Sequence, residues 1–354
     1  MGHAARMIPV ARKLQEMDHN VIIASGEEHL SLFRNEIPGL SYISFPGFKP
    51  GYSRYFPQYL VLFFKIPLLL YHIILEHNKL KGFIKKHSVD IIISDNRFGL
   101  WNKHTTSVYI THMPLIPFPK SLKFLEPAGV FLHRIIIKKY SLCFIPDLPG
   151  DLNLSGRLSH GIRHPHNVRF IGILSKFNSS PSELIENPVT FLHNTVILSG
   201  PEPQREILKQ KLIALFRESE PQTVMFEGKP KKNGVSARNG NITFYGHLPT
   251  SGMKMVIESS ESIIARSGYT TIMELVSLNC NASLIPTPGQ TEQEYLADYL
   301  SEKEWFYKIS QEEIKKGFNI HPVRHLWQDE INRQSSFLLT AALKELLEKD
   351  HETS

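Results

Sequence analysis

Apolar positions recur along the chain at two periods, and the alternation between them sets the expected elements. Short apolar runs that read as strands fall at Val21 to Ala24, Leu40 to Phe45, Val89 to Ser94, Ser107 to Thr111 and Leu142 to Pro146. A second series follows at Val196 to Leu198, Thr223 to Phe226, Ile242 to Tyr245 and Ser262 to Ala265. Helical spacing lies between them. Ala5, Ile8, Ala11 and Leu14 share one face near the amino end, and Gln204 to Arg217 reads as a helix. Ile272, Met273, Leu275 and Val276 mark another within Tyr269 to Leu278, and Leu338, Leu339, Ala342 and Leu346 a final one over Gln334 to Leu347. Such alternation predicts an α/β chain with parallel sheets, helices on their faces and ligands beyond the carboxyl ends of the strands. The chain opens on what looks like a helix with no strand before it, so a first amino-terminal strand is either missing or was never there.

A chain of 354 residues is long for one core, and two domains are expected. A His-rich passage from Leu152 to Val168 precedes Arg169 to Gly172, and a Ser/Asn/Pro-rich stretch then runs through Pro188. The junction is placed there, giving domains 1–172 and 173–354. Charge divides at the same place: the first part carries a net +10 and the second −4. A basic domain suits anionic lipid, a phosphorylated acceptor or nucleic acid. Nucleic acid is a poor explanation, because no aromatic-basic RNA signature, Cys/His finger or heptad array is present.

Tyr59 to Leu75 is almost wholly apolar, broken by Lys65, Pro67 and His72, and too short and interrupted to span a bilayer. It reads either as a buried helix or helix pair, or as an amphipathic element on a membrane surface. Lys79, Lys81, Lys85 and Lys86 follow, and Arg134, Lys138 and Lys139 form a second apolar-basic stretch, which tilts the reading towards peripheral membrane contact. Cys143 and Cys280 sit among apolar neighbours and read as core residues of a protein in a reducing compartment. The first turn lacks the charged-then-apolar order of a signal peptide. These features give an expected location in the cytoplasm, with possible attachment to the inner face of the cytoplasmic membrane.

The densest chemistry lies between Ser262 and Leu300. After the strand, Arg266, Ser267 and Gly268 turn into the helix that begins at Tyr269 and Thr270. A helix N-terminus at a strand's carboxyl end presents unpaired N–H groups and a positive dipole end to an anion, and Gly268 lets phosphate approach the backbone. Glu274, further down the helix, suits vicinal ribose hydroxyls. Ser199, Gly200 and Arg205 repeat the strand-loop-helix geometry, with Arg205 supplying charge to a diphosphate or, equally, a solvated Arg on a plain connection. Gly246, His247 and Leu248 end another strand, where backbone groups suit a flat base. A Pro-stiffened loop from Ile285 to Thr291 closes a further strand and leads to Glu292 and Gln293 at a helix start, placed to meet sugar hydroxyls.

His3 and Asp95 are the titratable candidates for deprotonating an acceptor hydroxyl. The alternatives are a surface histidine in a first helical turn, and a structural cap or ion pair beside Asn96 and Arg97. His160, His164 and His166 read as a loop cluster, since nothing nearby completes a metal-ligand set. There is no Walker loop, dinucleotide fingerprint, His-Glu-x-x-His or Asp-x-Asp pair, so no metal and no cofactor are expected.

The run Ala265-Arg266-Ser267-Gly268-Tyr269-Thr270-Thr271, with Glu274 and Pro286-Thr287-Pro288-Gly289-Gln290-Thr291-Glu292-Gln293, resembles the carboxyl-terminal half of MurG-like glycosyltransferases, most closely a bacterial branch of family 28. Gly2-His3-Ala4-Ala5-Arg6 is similar to that group's glycine-histidine loop, Ser94 to Gly99 and Thr111-His112 to its later strand ends, and Ser199 to Arg205 to its donor loop. The resemblance implies a GT-B architecture, two Rossmann-like domains facing across a cleft with no obligatory metal. It also implies diphosphate at Gly268, ribose at Glu274, uracil at Gly246 to Leu248, the sugar at Gln293 and His3 as base. The expected activity is inverting transfer of a hexose, an N-acetylhexosamine by preference, from a UDP-sugar to a lipid-linked or other membrane-proximal glycan acceptor in envelope glycan synthesis. The alternatives are a UDP-sugar 2-epimerase, which needs several acid/base carboxylates around the sugar, and a non-catalytic UDP-sugar-binding scaffold.

Overall fold

The computed structural model describes residues 2–48, 51, 61, 64–179, 193–218, 221–228, 234–327 and 329–353. Tyr59, Leu60, Leu62 and Phe63 of the apolar run, residues 180–192 of the expected junction and the side chain of His247 lie outside the described residues. In chain order the elements are α1 (Gly2–Glu16), β1 (Ile22–Ser25), α2 (Glu27–Glu36), β2 (Ser41–Ser44), α3 (Ile66–His87), β3 (Ile91–Asp95), β4 (Thr106–Ile110), α4 (Glu126–Ile137), β5 (Leu142–Ile145), β6 (Val168–Phe170) and β7 (His193–Ile197). There follow α5 (Gln204–Phe216), β8 (Gln222–Phe226), β9 (Gly234–Asn239), β10 (Ile242–His247), α6 (Thr250–Glu258), β11 (Ser262–Ala265), α7 (Tyr269–Ser277), β12 (Ser283–Leu284), α8 (Thr291–Glu302), β13 (Tyr307–Lys308) and α9 (Glu330–Thr353).

Packing divides the described residues into two units that interleave in sequence. One contains residues 2–44 and 175–329, the other 45–48, 51, 61, 64–174 and 330–353. The chain thus passes from the second unit to the first between Leu174 and Ser175, and its last helix returns.

The first unit is built on a seven-stranded sheet in the order β13-β12-β11-β7-β8-β10-β9, parallel throughout except for β9, which runs antiparallel to β10 at the edge. Its central strands β7, β8 and β11 are buried along nearly their whole length, as a sheet covered by helices requires, with His193, Asn194 and Thr195 forming a polar start to β7. Val196, Leu198, Met225, Ile242, Phe244, Ile264 and Ile285 bury one face together with Leu208, Leu212 and Phe216 of α5. Helix α1 fills a smaller core: Ala4, Ala5, Ile8 and Ala11 meet Leu32, Phe33 and Ile37 beside the parallel pair β1-β2. The apolar spacing that predicts α1 is the spacing that makes this stripe.

The second unit holds the parallel sheet β3-β4-β5-β6. Tyr109 of β4 and Cys143 of β5 pack with Ile137 and Tyr140, while Leu80 of α3 covers Ile92 and Leu100. Both cysteines are buried and free. Among the described residues no pairing joins β1-β2 to β3–β6, so the strands before residue 171 form two sheets. Strand β12 lies where a strand is expected before the Pro-rich loop, whereas β9 and β13 were not expected: β13 is only two residues long, and β9 is an edge strand with partly exposed alternation. Most other boundaries fall within a few residues of the expected ones.

The apolar run ends in a long helix that is not buried. Along α3 the buried residues are Glu76 and Leu80, whereas Ile66, Leu68, Leu70, Tyr71 and Ile74 are exposed. The buried-helix alternative therefore fails for the described residues. Glu76 is buried because it pairs with Arg97, whose guanidinium also donates to the Phe45 carbonyl. No described helix is long and apolar enough to cross a membrane.

Two features of the second unit yield predictions. Gly172 has φ +72°, and a Cβ there would lie 2.3 Å from the Ser335 Cα of α9. Only glycine combines that backbone conformation with so close an approach. Gly172→Ala is expected to cost at least about 3 kcal/mol in urea denaturation; a loss below roughly 1 kcal/mol would contradict the close packing of α9.

Buried His133 contacts the Tyr109 hydroxyl at 3.0 Å and the Pro114 carbonyl at 3.2 Å. Burial lowers its pKa to about 4, against a small opposing effect of the Pro114 hydrogen bond. A neutral His in the fold and an ordinary one in the unfolded chain contribute stability that is present above pH 6.5 and is lost as pH falls towards 4. Between about pH 6.5 and 5 the wild type should lose about 2 kcal/mol more than His133→Gln, at about 1.4 kcal/mol per unit. Parallel pH profiles of the two proteins would overturn this assignment.

Candidate functional site

The carboxyl edge of the seven-stranded sheet gathers the loops that the sequence marks out. Strand β11 ends at Ala265 in the sheet interior, and α7 starts four residues later, with Gly268 as its extended N-cap at φ −75° and ψ 135°. The first intrahelical bond runs from the Ile272 N–H to the Gly268 carbonyl. The N–H groups of residues 269–271 therefore fall outside the helix ladder and point forward from its positive end. A Cβ built on Gly268 would meet nothing within 4 Å, so the backbone there faces open space.

The three residues before the helix hold this turn in place. Arg266 is fully buried and donates to the Ile285 carbonyl at 3.2 Å, the Pro286 carbonyl at 3.0 Å and the Gln204 carbonyl at 3.0 Å. Burial lowers its pKa to about 10, which leaves it charged at neutral pH. Its guanidinium thus ties the loop after β11 to the loop after β12 and to the start of α5, and its role is to position backbone. Ser267 Oγ donates to the Gln293 carbonyl at 2.8 Å, joining the α7 turn to the start of α8.

Gln293 is nearly buried, and its Oε1 accepts the Thr287 N–H at 2.9 Å. The side-chain amide N–H groups of Gln293 remain the donors it can offer a hydroxyl. Glu294 accepts the Gly289 N–H at 2.8 Å, so the Pro-rich loop is pinned twice by the helix that follows it. Glu292 is half-buried at the same helix start.

Glu274 lies in the second turn of α7 with its side chain half-buried. Burial raises its carboxyl pKa, Lys176 opposes the rise, and Glu36 adds to it. Among the described residues no hydrogen-bond donor occupies the Glu274 carboxylate, which therefore stays available as an acceptor. Lys176 and Glu36 were not anticipated as neighbours. They lie far from Glu274 in sequence, and no local spacing signals the meeting.

Arg205, at the start of α5, is engaged within its own loop. It donates to Glu202 Oε1 at 2.7 and 2.9 Å and to the Gly228 carbonyl at 3.1 Å, while Glu202 Oε2 accepts the Glu206 N–H. The Glu202 carboxylate thus caps α5 and neutralises Arg205, a pairing legible in the i, i+3 spacing. Ser199 and Gly200 lead out of β7, with Gly200 exposed, and Gly246 and Leu248 flank His247 at the end of β10.

Helix α1 brings its own N-terminus to the same place. A Cβ on Gly2 would lie 3.0 Å from Thr270 Oγ1, so the amino ends of α1 and α7 meet there. His3 is exposed in that first turn, and its Nδ1 lies 2.9 Å from the Nη2 of buried Arg6. A guanidinium can only donate. Nδ1 therefore accepts, the neutral ring carries its proton on Nε2, and His3 becomes a base only when the Arg6 hydrogen bond breaks.

Asp95 lies in the other unit as the last residue of β3, half-buried. It adds to the raised pKa of Tyr109, whose main cause is burial. The chain turns sharply after it, with Asn96 at φ +52°, Tyr109 donating to Asn96 Oδ1 at 3.1 Å and Tyr140 to the Arg97 carbonyl at 2.7 Å. His160 and His164 bond to the Leu148 and Ser159 carbonyls and contact the Phe170 ring. Among the described residues no group of three or more His, Cys, Asp or Glu is placed to hold a metal.

Residues 191–334 match the family model described as the glycosyltransferase family 28 C-terminal domain. That segment contains every loop of the sheet edge described above. No curated protein matches the chain. Among solved structures, the spinosyn rhamnosyltransferase SpnG complexed with thymidine diphosphate is similar at a TM-score of 0.59 and 12% identity, covering 99% of this chain and 94% of that one. The glycosyltransferase SnogD from Streptomyces nogalater is similar at 0.57 and 13% identity, covering 98% and 93%. The calicheamicin glycosyltransferase CalG4 is similar at 0.54 and 10% identity, covering 98% and 93%. Parallel sheets with helices on their faces, aligned along nearly the whole chain with these enzymes, give this protein the GT-B fold.

Proposed function

We propose that the protein is an inverting glycosyltransferase that moves a hexose, an N-acetylhexosamine by preference, from a UDP-sugar to a lipid-linked or membrane-proximal glycan acceptor. The observation that carries this reading is α7 itself: one helix turns its amino end to open space at Gly268 and, in its second turn, carries a carboxylate with no hydrogen-bond donor among the described residues. A nucleoside diphosphate presents a diphosphate and a ribose diol, which match those two groups. A structural neighbour of the same fold is complexed with a nucleoside diphosphate, which supports a sugar-nucleotide donor.

In this reading the acceptor oxygen attacks the anomeric carbon from the face opposite the diphosphate. The new C–O bond forms as the bond to the β-phosphate oxygen breaks, and the nucleoside diphosphate leaves with the electron pair. Charge grows on that diphosphate in the transition state. The Gly268, Tyr269 and Thr270 amides, with the amino end of α1 beside them, oppose it. Arg205 joins them only by leaving Glu202. His3, once released from Arg6, or Asp95 takes the acceptor proton. Ser199 and Gly200 line the second donor loop, the Gly246 to Leu248 backbone meets the base, and Glu292 and Gln293 meet the sugar hydroxyls, with Arg266 and Ser267 holding the loops. Residues 173–354 are assigned the donor and 1–172 the acceptor, and the exposed apolar face of α3 supports contact with the inner surface of the cytoplasmic membrane.

Glu274→Gln is expected to weaken UDP binding in calorimetry by about tenfold to a hundredfold, the worth of a hydrogen bond to a charged group. The variant keeps the side chain's shape, so an unchanged melting temperature shows that the loss is local. Unaltered affinity in a folded variant would count against the ribose assignment and, with it, the donor reading.

A further inference from the structure

Between α4, the short 3-10 turn Lys120–Leu125 and the loop at residues 162–163 lies a cavity of about 460 Å³. Its floor is apolar, with Leu115, Val130 and Phe131, and Lys123, Arg134 and Arg163 contribute cations to its lining. The acid among the described lining residues is Glu126, and it is already used: it pairs with Arg157 at 2.7 Å and accepts the Phe118 N–H at 3.2 Å. Arg134 donates to the Arg163 carbonyl at 2.6 Å, which fixes the loop against the helix. Lys123 and Arg163 are exposed, and no acid pairs with either among the described residues.

The surface around the cavity is strongly apolar for a helix that faces solvent. Phe124 is 73% exposed, Phe131 and Leu132 61% each, and Ile135 44%. Soluble surfaces seldom carry such a cluster without something to cover it. An apolar hollow with unneutralised cations, inside an apolar rim, matches one chemistry: a fatty chain joined to a phosphate. A peptide partner would call for backbone hydrogen-bonding groups or paired acids, and a free anion would gain nothing from the apolar floor.

We propose that this cavity binds a single phosphorylated membrane lipid, with the phosphate between Lys123 and Arg163 and the first part of the chain over Val130 and Phe131, while Phe124, Leu132 and Ile135 enter the acyl layer. The site extends the membrane contact of the proposed function and does not depend on the donor chemistry. It differs from general adsorption through the lysines of α3, because it requires an open hollow as well as charge.

The test is co-sedimentation of the full chain with vesicles of phosphatidylcholine, and of phosphatidylcholine and phosphatidylglycerol in equal parts. The wild type should bind the mixed vesicles and leave the neutral ones largely unbound. The double variant Lys123→Gln, Arg163→Gln should bind the mixed vesicles about thirtyfold more weakly, at about 1 kcal/mol per basic residue. Val130→Trp fills the hollow and should weaken binding about tenfold although it adds apolar surface. The matched pair Lys85→Gln, Lys86→Gln, in the last turn of α3 and away from its exposed apolar residues, should weaken binding clearly less than the cavity pair does. Equal binding to neutral vesicles, an equal loss in the α3 pair, undiminished binding by Val130→Trp or displacement of the protein by inorganic phosphate alone would each overturn the proposal. UDP affinity in the same variants separates this result from the donor reading: it should stay at the wild-type value whichever way the vesicle experiment falls.

Discussion

A buried guanidinium sets the geometry of the donor edge. Arg266 has no carboxylate partner among the described residues and donates instead to three backbone carbonyls from two other loops. A charge held inside a protein costs less when it is hydrogen-bonded, and here the three bonds made by Nη1 and Nη2 tie three loops together, while the buried Nε has no partner among the described residues. Ser267 continues the arrangement towards α8, and Gln293 returns a hydrogen bond to the loop after β12. The open amides at Gly268 stand at the centre of this network, so the anion site is preorganised by neighbours that do not themselves need to touch a ligand. Arg205 is already paired with Glu202, so the helix amino ends are the groups left to meet an anion there.

The second unit has a different character. Its buried acids are each satisfied, Glu76 by Arg97, Glu126 by Arg157 and Asp147 by backbone N–H groups and the Ser155 hydroxyl, and its exposed helices carry the aromatic and aliphatic surface. Residues that a water-soluble core would bury are turned outward on α3 and α4, next to lysine and arginine side chains. The two halves of the proposed activity thus rest on different physics: backbone dipoles aimed at an anionic donor, and apolar area with basic charge for a membrane-side acceptor.

Much of this was legible in the residues. Apolar runs of four or five marked the long parallel strands, and the Arg-Ser-Gly turn before an apolar helical pattern marked α7 and its N-cap, because those signals are local. The two-residue β13 leaves too little pattern to read, whereas β12 was marked by the Pro-rich loop that closes it. The direction in which α3 faces was also open, since a nearly uniform apolar run has no polar stripe to choose a side; the structure chose by burying Glu76 through Arg97. The partners of side chains were the least legible. Arg266 entered the sequence reading only as part of the turn and is bonded to three carbonyls, Arg205 read either as a diphosphate ligand or as a solvated side chain and is held by Glu202, and the charges around Glu274 come from Lys176 and Glu36, which only the fold brings near. His3 was placed by its similarity to a glycine-histidine loop, but the Arg6 proton on its Nδ1 follows from side-chain geometry alone.

The most direct measurement of the central claim is a crystal structure of the full chain soaked with UDP. The account predicts diphosphate oxygens within hydrogen-bond distance of the Gly268, Tyr269 and Thr270 amides, the ribose hydroxyls on Glu274, and Arg266 still bonded to its three carbonyls. Nucleotide density elsewhere on the molecule, or an empty site in front of Gly268 at saturating UDP, would contradict it.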